Sequence, residues 1–280
     1  METMPIQSTG KSLRLRRILR RGRAVVVAMD HGNAAGAVRG LEKPAEVVKA
    51  VAPAGADAIL VTPGILEQVC EHVGDLAILL RIDGCVSPLG GGPMKLFQDV
   101  EQAVAMGVDA VVMNATLGAP HETEELEKVG STAGEGRTWG MPVVAEILSQ
   151  RMMGNHMDMA GSGNDELPAN IGDDITLACR IGAELGADLI KTRYSGSVDE
   201  FRRSVEACGQ PVLVAGGPRR SAGLGGTLET VSEVLEAGAS GVIFGRQIWQ
   251  HGDPAEAVGA VSELVHGGPR IGEAMAVAVK

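Results

Sequence analysis

Eight short apolar runs recur along the chain, separated by longer segments whose apolar residues fall three and four apart. The runs are AVVVAMD (24–30), DAILVTP (57–63), AILLRID (77–83), DAVVMNA (109–115), PVVAEIL (142–148), DLIKTR (188–193), PVLVAGG (211–217) and GVIFGR (241–246). Nearly continuous Val, Ile, Leu and Ala marks strands buried on both faces, as in a parallel sheet. The intervening segments PAEVVKAVAPAG, FQDVEQAVAMG, DDITLACRIGAELG, SVDEFRRSVEACG and TLETVSEVLEAG have helical periodicity, and several end in a glycine stop. Gly-Ala-Asp precedes strands at 55–57 and 186–188, with Gly107-Val108-Asp109 and Gly238-Ala239-Ser240 as variants. A βα unit repeated eight times over about 250 residues predicts an α/β fold, a TIM (β/α)8 barrel. A doubly wound open sheet is the alternative, because strand count does not establish closure.

No linker divides the pattern. The expected organisation is an extension with a basic helix over 1–23, the barrel over 24–268 and a tail over 269–280. The longest irregular stretch, residues 149–172, is rich in Met, Gly and Asn and follows strand 5. It is expected over the barrel mouth, as a mobile lid or as an ordered subunit-contact loop.

Composition sharpens this picture in a few places. With 45% hydrophobic and 21% charged residues among 280, a large core is expected, and with 2% aromatics it must be aliphatic. The formal charge of −10 argues against a nucleic-acid binder. No apolar run is long enough to span a membrane, and the N-terminus lacks a signal-peptide core. One stretch departs from the acidic balance, LRLRRILRRGR at 13–23, with the spacing of an amphipathic helix. It reads as a helix covering one end of the domain or contacting another subunit, in preference to a site for an anionic partner or membrane surface. Cys70, Cys85, Cys179 and Cys208 form no C-x-x-C pair and no regular framework, so reduced cytoplasmic thiols are expected.

In a TIM barrel the chemistry gathers where strands end. The polar residues there are Asp30 and His31 (strand 1), Arg81 and Asp83 (strand 3), Asn114 (strand 4), Glu146 (strand 5), and Lys191 and Arg193 (strand 6). Gly216-Gly217 ends strand 7 and Gly245-Arg246 ends strand 8. Glycines after these two strands let backbone N–H groups approach a phosphate, and Arg246 adds a charge-assisted contact. Lys191 interrupts an apolar strand. Burial, or a cation such as Arg193 two residues on, favours the free amine, which attacks carbonyls to form a Schiff base. A buried ion pair with Asp30 or Asp83, or a phosphate contact, would also account for it. Asp30 beside such an imine can move protons or hold the cation. His31 is the one histidine at a strand end, so no multi-histidine metal set is visible.

Met29-Asp30-His31-Gly32, Ile190-Lys191-Thr192, Ala215-Gly216-Gly217-Pro218 and Gly245-Arg246-Gln247-Ile248-Trp249-Gln250 together resemble the DeoC/LacD-type class I aldolases. The resemblance is to the archaeal-type fructose-bisphosphate aldolases, a group that includes 2-amino-3,7-dideoxy-D-threo-hept-6-ulosonate synthase and the autoinducer-2 thiolase. It covers roughly residues 12–268 and implies a TIM barrel in a large homo-oligomer, often a decamer. It implies Lys191 as the Schiff-base lysine, Asp30 as acid/base partner, and phosphate contacts from Gly216, Gly217, Gly245 and Arg246. No metal or cofactor is implied. His31, Arg81, Asn114 and Arg193 complete the expected substrate-binding set.

One departure bears on the substrate. The group's aldolases carry a tyrosine near the end of strand 5, where this chain has Leu148; the thiolase relatives lack it too. The chain's single tyrosine is Tyr194. Glu146, on the same strand face as Leu148, or Tyr194, or Asp30, is expected to replace the missing acid/base. The leading expectation is a class I aldolase acting on a phosphorylated ketose or related keto-phosphate. The alternatives are a thiolase or acyl transferase using the same lysine, and a phosphosugar-binding protein without catalysis.

Overall fold

The structure, a computed structural model, describes residues 6–84, 87, 89–153, 168, 170–217 and 223–267. The expected tail over 269–280 lies outside the described residues, as does most of the irregular stretch after strand 5.

Eight parallel strands close into a barrel: β1 (Ala24–Ala28), β2 (Ala58–Val61), β3 (Ala77–Arg81), β4 (Ala110–Leu117), β5 (Val143–Ser149), β6 (Leu189–Arg193), β7 (Val212–Ala215) and β8 (Gly241–Phe244). β1 pairs with both β2 and β8, which closes the circle and excludes the open sheet. An outer helix follows every strand, from Pro44–Val51 after β1 to Pro254–Gly267 after β8.

Alternation along the strands makes two cores. Val26, Leu60, Leu79, Val112, Val144, Leu189, Leu213 and Ile243 fill the barrel interior. Their neighbours Ile59, Leu80, Val111, Ala145, Ile190 and Val212 face outward under the helices. The continuous apolar runs therefore serve both faces of one sheet.

Helices Glu122–Trp139 and Pro254–Gly267 were not among the segments read as helical. The first is polar and contains glycines, yet it buries Val129, Thr132, Ala133 and Gly136. A Cβ at Gly136 would stand 2.7 Å from the Met141 carbonyl oxygen, so glycine lets this helix sit directly on the start of β5.

The basic segment forms helix Ile6–Ile18 followed by a turn, starting earlier and ending sooner than its charge pattern. Ile18, Leu15 and Leu19 pack into the interior core from the N-terminal end of the barrel. Lys11 pairs with Asp188 at 2.9 Å, Arg17 with Asp109 at 2.9 Å and Arg20 with Asp57 at 3.4 Å. These are the aspartates of the Gly-x-Asp phrases. Each also accepts a backbone N–H from the preceding strand: Val25 to Asp57 at 2.7 Å, Ile78 to Asp109 at 2.9 Å, Val143 to Asp188 at 2.9 Å. Arg17 and Arg20 are half exposed, so their pairs contribute little. The bonds to otherwise buried N–H groups matter more.

Cys70, Cys179 and Cys208 are free thiols, and no described helix is long and apolar enough to cross a membrane.

Asp57→Ala leaves the Val25 N–H without its acceptor, so urea unfolding is expected to show a loss of about 1–3 kcal/mol. Asp57→Asn keeps an acceptor oxygen and loses less. Equal losses in the two variants would mean that charge, not the backbone bond, is what Asp57 provides.

Candidate active site

The polar layer at the C-terminal mouth follows from strand parity. Asp30, Arg81, Asn114, Glu146 and Lys191 each stand two residues beyond an interior-core residue, namely Ala28, Leu79, Val112, Val144 and Leu189. Each therefore points inward, one layer above the apolar plug. The pairing register sets Asn114 beside Glu146 and Glu146 beside Lys191. All five line one cavity of about 200 Å³.

Charge is neutralised there by direct bonds. Lys191 Nζ donates to Glu146 Oε2 at 2.8 Å, and both side chains are buried. Arg81 donates to the same Glu146 oxygen at 2.6 Å, to Asp30 Oδ2 at 2.9 Å and to Asn114 Oδ1 at 2.8 Å. Asp83, fully buried, accepts from Lys128 Nζ at 2.5 Å and from the Asn114 N–H at 2.8 Å, and lies 3.4 Å from Arg81. Burial alone would raise the Asp30 carboxyl. Arg81 and Lys191 outweigh it and hold Asp30 well below the usual carboxylate range. Burial pushes His31 down to about 4, against the pull of Asp30, with Lys191 and Arg246 adding to the fall. His31 is thus neutral at pH 7.

On the opposite side of the mouth, Gly216, Gly217, Gly245 and Arg246 line the same cavity. The His31 ring stands edge-on to Trp249 at 5.2 Å and packs onto Gly245, where a Cβ would fall 2.4 Å from His31 Cε1. Trp249 is fixed in turn by its Nε1 bond to the Ala28 carbonyl at 2.8 Å. Gly245 is therefore required by the packing of His31. Among the described residues no group of three or more His, Cys, Asp or Glu side chains is placed to hold a metal.

A buried lysine–carboxylate pair at the C-terminal mouth of a parallel barrel is an arrangement for amine chemistry, and relatives of known type share the frame. The DeoC/LacD family aldolase model matches residues 24–251. The chain belongs to the DeoC/LacD aldolase family. It is 35% identical over 262 residues to the 2-amino-3,7-dideoxy-D-threo-hept-6-ulosonate synthase of Halobacterium salinarum, covering 92% of each chain. It is 30% identical to the class 1 fructose-bisphosphate aldolase of Thermoproteus tenax, covering 94% of this chain and 97% of that one. It also superposes on the Schiff-base-forming fructose-1,6-bisphosphate aldolase with a TM-score of 0.79 at 28% identity, covering 92% of this chain and all of the other. The protein is a Schiff-base, class I type of aldolase.

Two expectations for the aldolase site need correction. Tyr194 does not reach the cavity. Lys191 faces inward, so the residue three positions on faces outward, and Tyr194 packs edge-on against Phe201 at 5.4 Å in the outer core. Arg193 keeps the inward parity but stands one layer higher, where it donates to the Met152 carbonyl at 2.8 Å and does not line the cavity. That bond ties it to the turn after β5. Arg81, expected in the substrate-binding set, lines the cavity and there bridges Asp30 and Glu146, with Asn114 as a further acceptor. Leu148, in the place of the group's tyrosine, does line the cavity.

Several participants escaped the sequence reading. Lys128, which ties Asp83, sits on the unrecognised polar helix, and nothing in its spacing marks it. Met94, whose sulfur accepts from Asn114 Nδ2 at 3.2 Å, lies in an irregular segment. Asn33, bonded to the Asp83 carbonyl at 2.9 Å, follows Asp30 by three residues and was within reach of a strand-end argument.

Tyr194→Phe is expected to leave turnover unchanged in a steady-state assay. His31 titrates near 6.5 unfolded and about 4 folded, so between these values the unfolded chain binds more protons. Stability is therefore expected to fall as pH drops from 6.5 to 4, by up to about 1.4 kcal/mol per unit from this group. Denaturant titrations of His31→Gln across that window should show this slope removed.

Proposed function

We propose that this aldolase makes or breaks a C–C bond in a phosphorylated ketose or related keto-phosphate through an imine on Lys191, with Glu146 as its proton carrier. The observation that carries this reading is the buried 2.8 Å bond between Lys191 Nζ and Glu146 Oε2. An ammonium must lose a proton before it attacks, and Glu146 is the carboxylate in direct contact to receive it.

The free amine adds to the ketone carbon and gives a carbinolamine. The carbinolamine hydroxyl leaves as water, taking the proton that Glu146 had accepted, and the iminium forms. A carboxylate then removes the proton of the hydroxyl β to the iminium carbon. That C–C bond breaks, the aldehyde departs, and the electron pair passes to the nitrogen as an enamine. Protonation at carbon and addition of water release the second product and restore the lysine.

Asp30 stays ionised beside Arg81 and is suited to stabilise the iminium cation and to accept the hydroxyl proton. Gly216, Gly217, Gly245 and Arg246 hold the phosphate, with neutral His31 forming the wall beside it. Asn114 and Leu148 line the side from which the aldehyde leaves.

Borohydride reduction with dihydroxyacetone phosphate is expected to fix one adduct, mapped to Lys191 by peptide mass. Lys191→Ala should abolish both adduct and turnover. Glu146→Gln should slow turnover by about 10²–10⁴-fold and flatten the pH–rate profile. Turnover that requires coenzyme A would instead indicate acyl transfer on the same lysine, and no adduct across a panel of keto-phosphates would rule out the imine.

A further inference from the structure

We propose, resting on the Lys191 reading above, that Lys128 on the outer helix Glu122–Trp139 is a positioning residue for the Lys191 amine. In this assignment Lys128 holds Asp83, leaves Arg81 to the cavity carboxylates, and so sets the pH at which Lys191 becomes reactive.

Lys128 does not line the cavity, yet its side chain is only 8% exposed. Its ammonium meets the fully buried Asp83 at 2.5 Å and the Met94 carbonyl at 2.7 Å. Asp83 also accepts the Asn114 N–H at 2.8 Å, so it is satisfied without drawing Arg81 close. Arg81 Nη1 accordingly lies 3.4 Å from Asp83 but 2.8 Å from Asn114 Oδ1. Its remaining donors serve the cavity side, Glu146 at 2.6 Å and Asp30 at 2.9 Å.

The charges joined by these bonds balance. Arg81, Lys128 and Lys191 are three cations, and Asp30, Asp83 and Glu146 are three carboxylates. Among the described residues Asp83 pairs only with Arg81 and Lys128. Without Lys128, three carboxylates share two cations, and Asp83 competes with Glu146 and Asp30 for Arg81. Loss of a positive charge favours the protonated form of every group in the set, Lys191 included.

The remaining charges nearby are engaged elsewhere or face water. Glu125, one turn before Lys128, accepts the N–H groups of Met94 at 3.0 Å and Thr116 at 2.7 Å. Glu124, Glu127 and Lys95 border the outer groove and are exposed, so solvent screens them. Around Lys191 stand Glu146 and Asp30, with Arg246 and the neutral His31 on the same cavity and Arg193 one layer higher.

The test labels the full chain with trace acetic anhydride over a pH series and reads acetylation of Lys191 by peptide mass. It needs no substrate. Lys128→Met is expected to move the rise in Lys191 labelling to higher pH, by about half a unit or more. Asp83→Asn should move it to lower pH, and the double variant, with two cations and two carboxylates, should bring it back. Lys128→Arg keeps the charge and should stay near the unmodified protein, as should Lys95→Met at the surface. A rise that does not move in Lys128→Met overturns the proposal. So does a shift that the double variant fails to reverse, because lost packing is not restored by Asp83→Asn. If Lys128→Met does not fold, Asp83→Asn against the double variant makes the same comparison, and equal profiles overturn the proposal. Borohydride trapping with dihydroxyacetone phosphate, run in parallel, reports on the imine alone, so the two readings fail separately.

Discussion

Charges carried into a barrel interior must neutralise one another, and here the Arg81 guanidinium makes that possible. It reaches Asp30 from β1, Glu146 from β5 and Asn114 from β4 in one plane, while standing on β3 itself. Without it, two carboxylates would face each other across a cavity with one ammonium between them, and one would have to take up a proton. A lysine at that position could not span the same set, because a single ammonium lacks the flat fork of donors. The pairing of Lys191 with Glu146 and the ionisation of Asp30 both depend on that one side chain. Asp83 and Lys128 brace it from behind.

The two ends of the barrel treat charge differently. At the N-terminal end, aspartates capture backbone N–H groups and meet the cations of a surface helix, mostly in contact with water. At the C-terminal end the cations and carboxylates are buried side by side, where the fields of Arg81 and Lys191 overcome burial and keep Asp30 ionised. Between them lies an aliphatic layer that keeps the two sets apart.

The strands were legible because a parallel barrel buries both faces of its sheet and so writes an unbroken apolar run. The strand-end residues were legible because an inward-facing polar side chain interrupts such a run, as Lys191 does in DLIKTR. Tyr194 was misread although alternation from Lys191 already turns it outward. The roles of Arg81 and Arg193 were not legible at all. What occupies their donors comes from β1, β4 and β5 or from a turn carbonyl, and no spacing along the chain encodes those meetings. The helix Glu122–Trp139 escaped because close packing through Gly136 replaces the broad apolar stripe that periodicity detects.

The carboxylate ties at the base of the barrel do not treat all strands alike. They lash β2 to β1, β4 to β3 and β6 to β5, so the sheet is stitched in couples. The corresponding place before β8 holds Ser240, which has no carboxylate to offer β7. The unstitched couple is the one that ends in Gly216-Gly217 and Gly245-Arg246. The quarter of the barrel without a carboxylate tie at its foot is thus the quarter that borders the glycine-lined end of the cavity, where the proposed phosphate would add at the rim a tether that the chain leaves out at the base.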